Sequence, residues 1–99
     1  MSDKLNSQER IMAIVELLAK QGRKGLLNRE IIVAIGTTAP NVSRDLGLLE
    51  RRGWVEKQPT GAWRLTPFFG NFSNLMAQSF REAKLRLAED EERYLSAMQ

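Results

Sequence analysis

Residues 36–53 contain a short turn followed by one predicted helix, and the polar face of that helix carries side chains suited to binding bases and anions. A helix turns by about 100° per residue, which puts four residues on one outward stripe: Pro40, Arg44, Gly47 and Arg51. The opposite stripe is apolar: Val42, Leu46 and Leu49. Arginine can donate two parallel hydrogen bonds to guanine O6 and N7, and an asparagine such as Asn41 can pair with adenine. The pattern therefore fits base recognition, although a solvated helix face with two stray arginines would look the same.

Three short hydroxyl side chains, Thr37, Thr38 and Ser43, surround the start of this helix. First-turn amides have no partner within a helix, and the helix dipole favours anions there, so these hydroxyls suit phosphate contacts. Gly47 stands in the helix interior, where glycine costs roughly 1 kcal/mol relative to alanine. We interpret it as a place where a phosphate backbone or groove wall approaches without a clash.

The composition excludes most catalytic chemistry. The 99 residues include no Cys and no His, which rules out thiol catalysis, histidine acid–base catalysis, disulfides and the usual zinc sites. We expect no enzyme, no metal and no cofactor. With 42% hydrophobic residues the chain should fold as one domain with an appendage. The polar amino terminus and the lack of a long apolar run predict no membrane segment, so we expect a cytoplasmic, nucleoid-associated protein.

Positive charge is concentrated in the middle of the sequence. Residues 20–67 hold nine Lys or Arg and four Asp or Glu, a net charge of +5, whereas residues 1–19 and 68–99 each carry −1. Clustered cations gain affinity for a polyanion because binding releases its condensed counterions. The middle region is therefore expected to bind a polyanion.

Three helices are predicted before the sequence pattern changes from helical to strand-like. The first covers roughly residues 7–20 and starts with a capping box. Asn28 is expected to cap a second, short helix over residues 29–35. The third is the helix of the outward stripe, with Thr38 or Thr37 as its cap. Two short helices joined by a glycine-containing turn make a helix-turn-helix.

A β-hairpin is predicted directly after the third helix. Residues 54–57 and 62–66 are rich in aromatic and β-branched residues, and the turn-forming residues 58–61 separate them. Because side chains alternate along a strand, Trp63 should face the core and Arg64 should face away. We expect both tryptophans in the core, with stacking on a base or a partner as the alternative.

Together these features resemble the winged helix-turn-helix of bacterial transcription regulators. The resemblance is strongest to the DNA-binding domain of the IclR family and looser to the MarR and ArsR families. It covers about two-thirds of the chain and rests on these features: Glu30 with Gly36 six residues later, Val42-Ser43-Arg44 followed by Leu46 and Leu49, residues 50–55 with the sequence ERRGWV, and a hairpin ending Gly61-Ala62-Trp63-Arg64-Leu65. The implied fold is mainly α with a small β-hairpin.

The resemblance implies that the third helix is a recognition helix in the DNA major groove and that the hairpin is a wing. Combined with the residue types, it predicts these DNA-binding residues: Thr37, Thr38, Asn41, Ser43, Arg44, Gly47, Arg51, Lys57, Thr60 and Arg64. IclR-type proteins continue into a large effector-binding domain, which a chain of 99 residues does not contain. We therefore expect no small-molecule effector.

The last third of the sequence predicts a helix of about 25 residues, capped by Asn71 or Ser73. Apolar residues follow at 4-3-4 spacing and are predicted to form a dimer interface: Met76, Phe80, Ala83, Leu87 and Tyr94. The alternative is a helix folded back on its own domain. We therefore divide the chain into a DNA-binding domain, residues 1–67, and a dimerisation helix, residues 68–99.

The sequence as a whole predicts a homodimeric, sequence-selective double-stranded DNA-binding protein, a small bacterial or phage transcriptional regulator. A dimer would read an inverted repeat whose half-sites lie about one turn, roughly 10 bp, apart. Two alternatives stay open. One is a winged-helix module that binds another protein, which the exposed position of Leu48 on the predicted helix would suit. The other is a DNA-binding partition or phage factor without a transcriptional role.

Overall fold

The computed structural model describes residues 4–98, and its first helix, α1, spans Ser7–Gln21. The predicted capping box is present. The Glu9 amide donates to Asn6 Oδ1 at 2.8 Å, and the Asn6 amide donates to Glu9 Oε1 at 3.1 Å. These bonds satisfy two of the amides that the first turn leaves without partners.

Helix α2 spans Asn28–Ile35, one residue longer than predicted, and its cap differs from the prediction. Leu27, not Asn28, is the capping residue, and its amide donates to Glu30 Oε1 at 2.7 Å. The Asn28 side chain instead accepts a hydrogen bond from the indole Nε1 of Trp63 at 2.8 Å. The prediction failed because a distant indole competes for the oxygen that would otherwise cap the helix.

Helix α3 spans Ala39–Arg51 and is the helix of the outward stripe. Thr38 is its cap, as predicted, and its Oγ1 accepts a hydrogen bond from the Asn41 amide at 3.3 Å. Gly36, in the left-handed conformation with φ 77°, ends α2 and turns the chain toward α3. The pair α2–α3 is the predicted helix-turn-helix.

Two short strands follow, β1 over Val55–Lys57 and β2 over Trp63–Leu65, and they form an antiparallel hairpin. Glu56 lies opposite Arg64 in the register. Leu26, in the loop before α2, also pairs with Trp63 through two backbone hydrogen bonds of 2.9 and 2.7 Å. The hairpin is thus tied to the helical part of the chain.

The core forms where α1, α2, α3 and the hairpin meet. Eight buried apolar side chains make it up: Ile14, Leu18, Ile31, Val42, Leu46, Leu49, Val55 and Trp63. All three residues of the predicted apolar stripe of α3 are among them. Trp54 is half-buried and makes an edge-on contact with Phe69 at a ring-centroid distance of 5.1 Å, so both tryptophans pack within the protein, as expected.

The last helix, α4, spans Phe68–Ala97, which makes it longer than predicted and moves its start ahead of Asn71 and Ser73. Thr66 supplies the reason, because its Oγ1 accepts a hydrogen bond from the Phe68 amide at 3.3 Å and so lets the helix begin directly after Pro67. The chain divides into two compact units, Met1–Phe69 and Gly70–Gln99. No described helix is long and apolar enough to cross a membrane.

Candidate nucleic-acid interface

The outward stripe of α3 is exposed as predicted. Pro40, Arg44 and Arg51 are exposed, and Gly47 is half-buried between the two arginines. Val42, on the opposite side, is completely buried. Packing of one face against the core therefore fixes which side chains of the helix are available to a ligand.

A short chain of hydrogen bonds links three of the predicted DNA-binding residues. Asn41 Nδ2 donates to Thr37 Oγ1 at 3.0 Å, and Arg44 Nη2 donates to Asn41 Oδ1. The side-chain amide of Asn41 is therefore hydrogen-bonded through both its nitrogen and its oxygen, and it orients the guanidinium of Arg44. Because a guanidinium has five N–H donors, Arg44 keeps free donors for a ligand, whereas Asn41 would have to release its bonds before pairing with adenine.

Gly47 has room for a side chain within its own protein. A Cβ atom built there would lie 3.7 Å from Arg51 Nη1, an ordinary van der Waals distance, and would meet no backbone atom of another element. The helix is right-handed at this position, so the conformation does not require glycine either. Internal packing thus gives no reason for glycine at this position.

An ion pair that the sequence analysis missed holds α3 against α1. Arg10 Nε donates to Asp45 Oδ2 at 2.5 Å and Arg10 Nη2 donates to Asp45 Oδ1 at 3.0 Å, a two-bond pairing. The side chains are 11% and 5% exposed, and the bond to Asp45 raises the pKa of Arg10 above its already high ordinary value. Position 45 lies three residues after Val42, on the buried side of α3, and that spacing could have revealed a buried carboxylate but not its partner, which lies 35 residues earlier in the chain.

The basic residues of the hairpin do not share one surface. Arg64 pairs with Glu56 at 2.7 Å and donates to Gln58 Oε1 at 3.3 Å. Lys57 Nζ lies 5.9 Å from the ring centroid of Trp63, its partner in the register. Since neighbouring residues of a strand point to opposite faces, Lys57 and Arg64 project from opposite faces of the hairpin.

The remaining predicted DNA-binding residues, Thr60 and Ser43, are both exposed. Thr60, at the hairpin tip, is exposed and its Oγ1 accepts a hydrogen bond from the Ala62 amide at 3.3 Å. Ser43 is exposed on α3. Seven of the ten predicted DNA-binding residues therefore lie on α3 or the turn before it, and the other three are spread over the hairpin: Lys57, Thr60 and Arg64.

The predicted dimerisation residues lie along α4 and are all exposed. Phe80 is 67% exposed, Leu87 71% and Tyr94 72%, and Met76 and Ala83 are exposed as well. A partner that covered these exposed apolar side chains would gain about 25 cal/mol of binding free energy for each Å² of apolar surface removed from water. The described residues contain no cluster of three or more His, Cys, Asp or Glu that could hold a metal ion.

Comparison with known proteins agrees with this architecture. The family model of the IclR helix-turn-helix domain matches residues 7–59, more than half of the chain. The structure of S. aureus MepR bound to ethidium bromide is similar with a TM-score of 0.52 and 20% sequence identity, over 91% of this chain and 77% of that chain. At that identity the likeness concerns the fold alone. No curated protein matches the sequence.

Proposed function

The chain belongs to the IclR helix-turn-helix domain family, and from this premise we propose that it is a sequence-selective reader of double-stranded DNA that regulates transcription in a bacterium or phage. The helix-turn-helix is a DNA-binding motif whose second helix enters the major groove. Here that helix is α3, and its exposed stripe is polar and basic. The protein binds DNA as a ligand and catalyses no reaction on it.

The observation that carries this proposal is the exposed, oriented guanidinium of Arg44. It lies near the middle of the outward face of α3 and is held by Asn41, which is in turn held by Thr37. A side chain that is already oriented loses less conformational freedom on binding. Arg44 reads guanine through O6 and N7, and Thr37 acts mainly by positioning it.

Other residues of the surface position the protein on the phosphate backbone. Thr38 and Ser43 flank the start of α3, where unpaired amides attract a phosphate. Gly47 lets the groove wall come close, and Arg51 contacts the backbone beside it. In the wing, Lys57 and the tip at Thr60 are better placed than Arg64, whose charge Glu56 already partly neutralises.

The second unit supplies dimerisation. In this proposal residues 1–67 bind DNA and residues 68–99 pair with those of a second copy through the stripe that includes Phe80, Leu87 and Tyr94. A twofold dimer presents two recognition helices and so reads an inverted repeat. Two half-sites add their binding free energies, which gives the dimer its selectivity.

DNA binding in this proposal does not need a small-molecule effector. A cleft of about 500 Å³ lies between the end of α1 and the hairpin and includes Arg23, Glu56 and Arg64 in its lining. Two guanidinium groups against one carboxylate disfavour a cation such as the ethidium in the MepR structure. The cleft therefore gives no support for binding a ligand of that kind.

Binding to a fluorescent duplex measured over a range of salt concentrations tests the proposal. Each phosphate neutralised by a cationic side chain contributes about −0.9 to the slope of log K against log salt. Arg51 and Lys57 on two protomers make four phosphate contacts, which should give a slope of about −3.6 or steeper. Absence of binding even at low salt would contradict the proposal and favour the protein-binding module, for which Leu48, 40% exposed on α3, would be a contact.

A further inference from the structure

The outward side of α3 carries a leucine among its polar and basic side chains. Among the described residues of α3, Leu48 is the one large apolar side chain left exposed, and it is 40% exposed. The other three, Val42, Leu46 and Leu49, are at most 3% exposed. The core therefore accounts for the apolar character of those three positions, but only in part for that of Leu48.

Leu48 lies on the same side of α3 as the residues proposed to read bases. It follows Arg44 by four residues, so at 100° per residue the two side chains leave the helix axis in directions about 40° apart. Asn41, seven residues before Leu48, is about 20° from it. The three residues form one continuous strip of surface, and a ligand that lies along this strip contacts Leu48 as well as Arg44.

The neighbours of Leu48 on the helix surface are charged. On a helix, the side chains three and four positions away are the nearest ones. Here they are Arg44, Asp45, Arg51 and Arg52. Asp45 is buried and paired with Arg10, whereas the three arginines are exposed. An apolar protein surface could cover Leu48 only by desolvating guanidinium groups, which is costly, but a polyanion pairs with them. The surroundings of Leu48 therefore favour DNA as the molecule that covers it.

The major groove of DNA offers one kind of apolar group to such a side chain. Base edges there present hydrogen-bond donors and acceptors, and thymine adds a methyl group at C5. Contact between a leucine and that methyl group removes apolar surface of both from water, which is favourable. Cytosine presents an amino donor in the groove instead, so an apolar contact at this position distinguishes the two pyrimidines.

From the exposure, position and neighbours of Leu48 we infer that it contacts the C5-methyl group of a thymine, one or two base pairs from the guanine that Arg44 contacts. The inference rests on the proposed function and adds a second base to those that α3 reads. Four residues of a helix rise about 6 Å, and successive base pairs of B-DNA are about 3.4 Å apart, which sets the separation of the two bases. Leu48 is thus a specificity-determining residue that selects thymine.

A double-mutant cycle between the protein and the DNA tests this contact. The DNA is the duplex that the full wild-type chain enriches from a random-sequence pool, and the guanine is the position whose preference Arg44→Ala loses. Each thymine within two base pairs of it is replaced in turn by deoxyuridine, which lacks only the methyl group. One such replacement should weaken wild-type binding about fourfold, the factor for one methyl-sized group removed from water, and should leave the affinity of Leu48→Ala unchanged. Leu85→Ala, which shortens an exposed leucine of α4, is the matched control and should keep the fourfold dependence.

The outcomes separate the inference from the function on which it rests. Equal affinity of the wild type for the thymine and deoxyuridine duplexes would overturn the inference, and this comparison does not depend on how well Leu48→Ala folds. The same loss in Leu48→Ala as in the wild type, or an enriched site with no thymine within two base pairs of the guanine, would overturn it as well. In each of these cases the wild type still selects a DNA sequence, so the proposed function would stand. A pool that stays random would contradict the proposed function and the inference together.

Discussion

At the scale of single residues, Arg44 and its two supporting side chains concentrate the proposed specificity in one place. The Arg44 side chain donates a hydrogen bond to half-buried Asn41 and is itself exposed. Its contribution to folding should therefore be small, and its contribution to DNA binding large. Because a substitution at Arg44 should affect DNA binding without affecting folding, this residue gives the most direct test of base recognition.

Arg44→Ala should weaken binding to the selected DNA sequence by roughly 1–3 kcal/mol, because one bidentate base contact is lost. The melting temperature should stay nearly unchanged. Fluorescence anisotropy with specific and scrambled duplexes, together with thermal melting, measures both effects. Arg81→Ala is the matched control, since it removes the same charge from an exposed position of α4 outside the stripe. Equal losses for the two variants would mean that only net charge matters.

Gly47→Ala should raise the stability of the protein and weaken its binding to DNA. Alanine is better than glycine in a helix interior by roughly 1 kcal/mol, and the new Cβ meets Arg51 Nη1 at an ordinary 3.7 Å. The variant should therefore melt at a higher temperature and bind DNA more weakly, because the methyl group holds the groove wall away. Higher stability with unchanged affinity would rule out a close approach at this position.

Periodicity revealed the residues whose role depends only on their position along one helix. Val42, Leu46 and Leu49 were predicted as a buried stripe and are buried. Asp45 lies on the same side, but a carboxylate there is stable only because Arg10, 35 residues earlier in the chain, pairs with it. A local pattern does not contain that partner, so the ion pair became evident only in the folded structure.

At the scale of secondary-structure elements, the Arg10–Asp45 pair connects α1 to the recognition helix. Removing one partner of a buried ion pair leaves the other charged and unpaired. Asp45→Asn should therefore lower the free energy of unfolding by roughly 3 kcal/mol. Glu56→Gln, which breaks the more exposed pair with Arg64 in the hairpin, is the control and should cost less than about 1 kcal/mol.

Chemical denaturation of both variants measures this difference. The double variant Arg10→Met with Asp45→Leu should recover most of the loss, because apolar residues can replace a buried ion pair without leaving a charge unpaired. A loss for Asp45→Asn no greater than that for Glu56→Gln would show that the pair does not hold α3 in place.

Gly25 is the position where the loop before α2 passes closest to the hairpin. It is buried, with φ 70° and ψ −169°, a conformation open essentially only to glycine. An added Cβ would overlap the backbone carbonyl of Trp63. Gly25→Ala should thus lower the free energy of unfolding by about 3 kcal/mol or more, since the strain alone costs roughly 1–3 kcal/mol.

Gly36→Ala provides the comparison for thermal melting. Gly36 also has a positive φ, 77°, but a Cβ there meets nothing within 4 Å, so only the conformational cost of roughly 1–2 kcal/mol applies. Similar melting temperatures for the two variants would mean that the loop and the hairpin are not packed as tightly as the backbone pairing of Leu26 with Trp63 indicates.

The type and order of the elements could be predicted, but two of their starts could not. Within the described residues, helical period, turn residues and strand-like segments identified the four α-helices and the hairpin, but not the single 3-10 turn at Gly22–Lys24. Asn28 was predicted to cap α2, but its side-chain oxygen accepts a hydrogen bond from Trp63 instead. The predicted start of α4 was too late because the hydroxyl of Thr66, before the proline, already accepts a hydrogen bond from the Phe68 amide. In both cases the hydrogen-bond partner of one side chain decides where the helix begins, and the sequence pattern alone does not identify that partner.

At the scale of the whole molecule, DNA selectivity in this account depends on two copies joined through α4. Leu87→Asp puts a charge between Phe80 and Tyr94 on the stripe proposed as the dimer interface and should dissociate the dimer, since burying an unpaired carboxylate is strongly unfavourable. Leu85→Asp is the matched control, because Leu85 is 63% exposed and lies on a different side of the helix. Light scattering measures the mass of each variant, and an unchanged mass for Leu87→Asp would contradict the proposed interface.

The most direct test of the central claim is selection of bound duplexes from a random-sequence pool near physiological salt, carried out with the wild-type chain and with Arg44→Ala. The account predicts an enriched inverted repeat for the wild type and loss or relaxation of its arginine-contacted position in the variant. A pool that stays random after selection, or an enriched site that Arg44→Ala leaves unchanged, would contradict the proposal that α3 reads DNA sequence through Arg44.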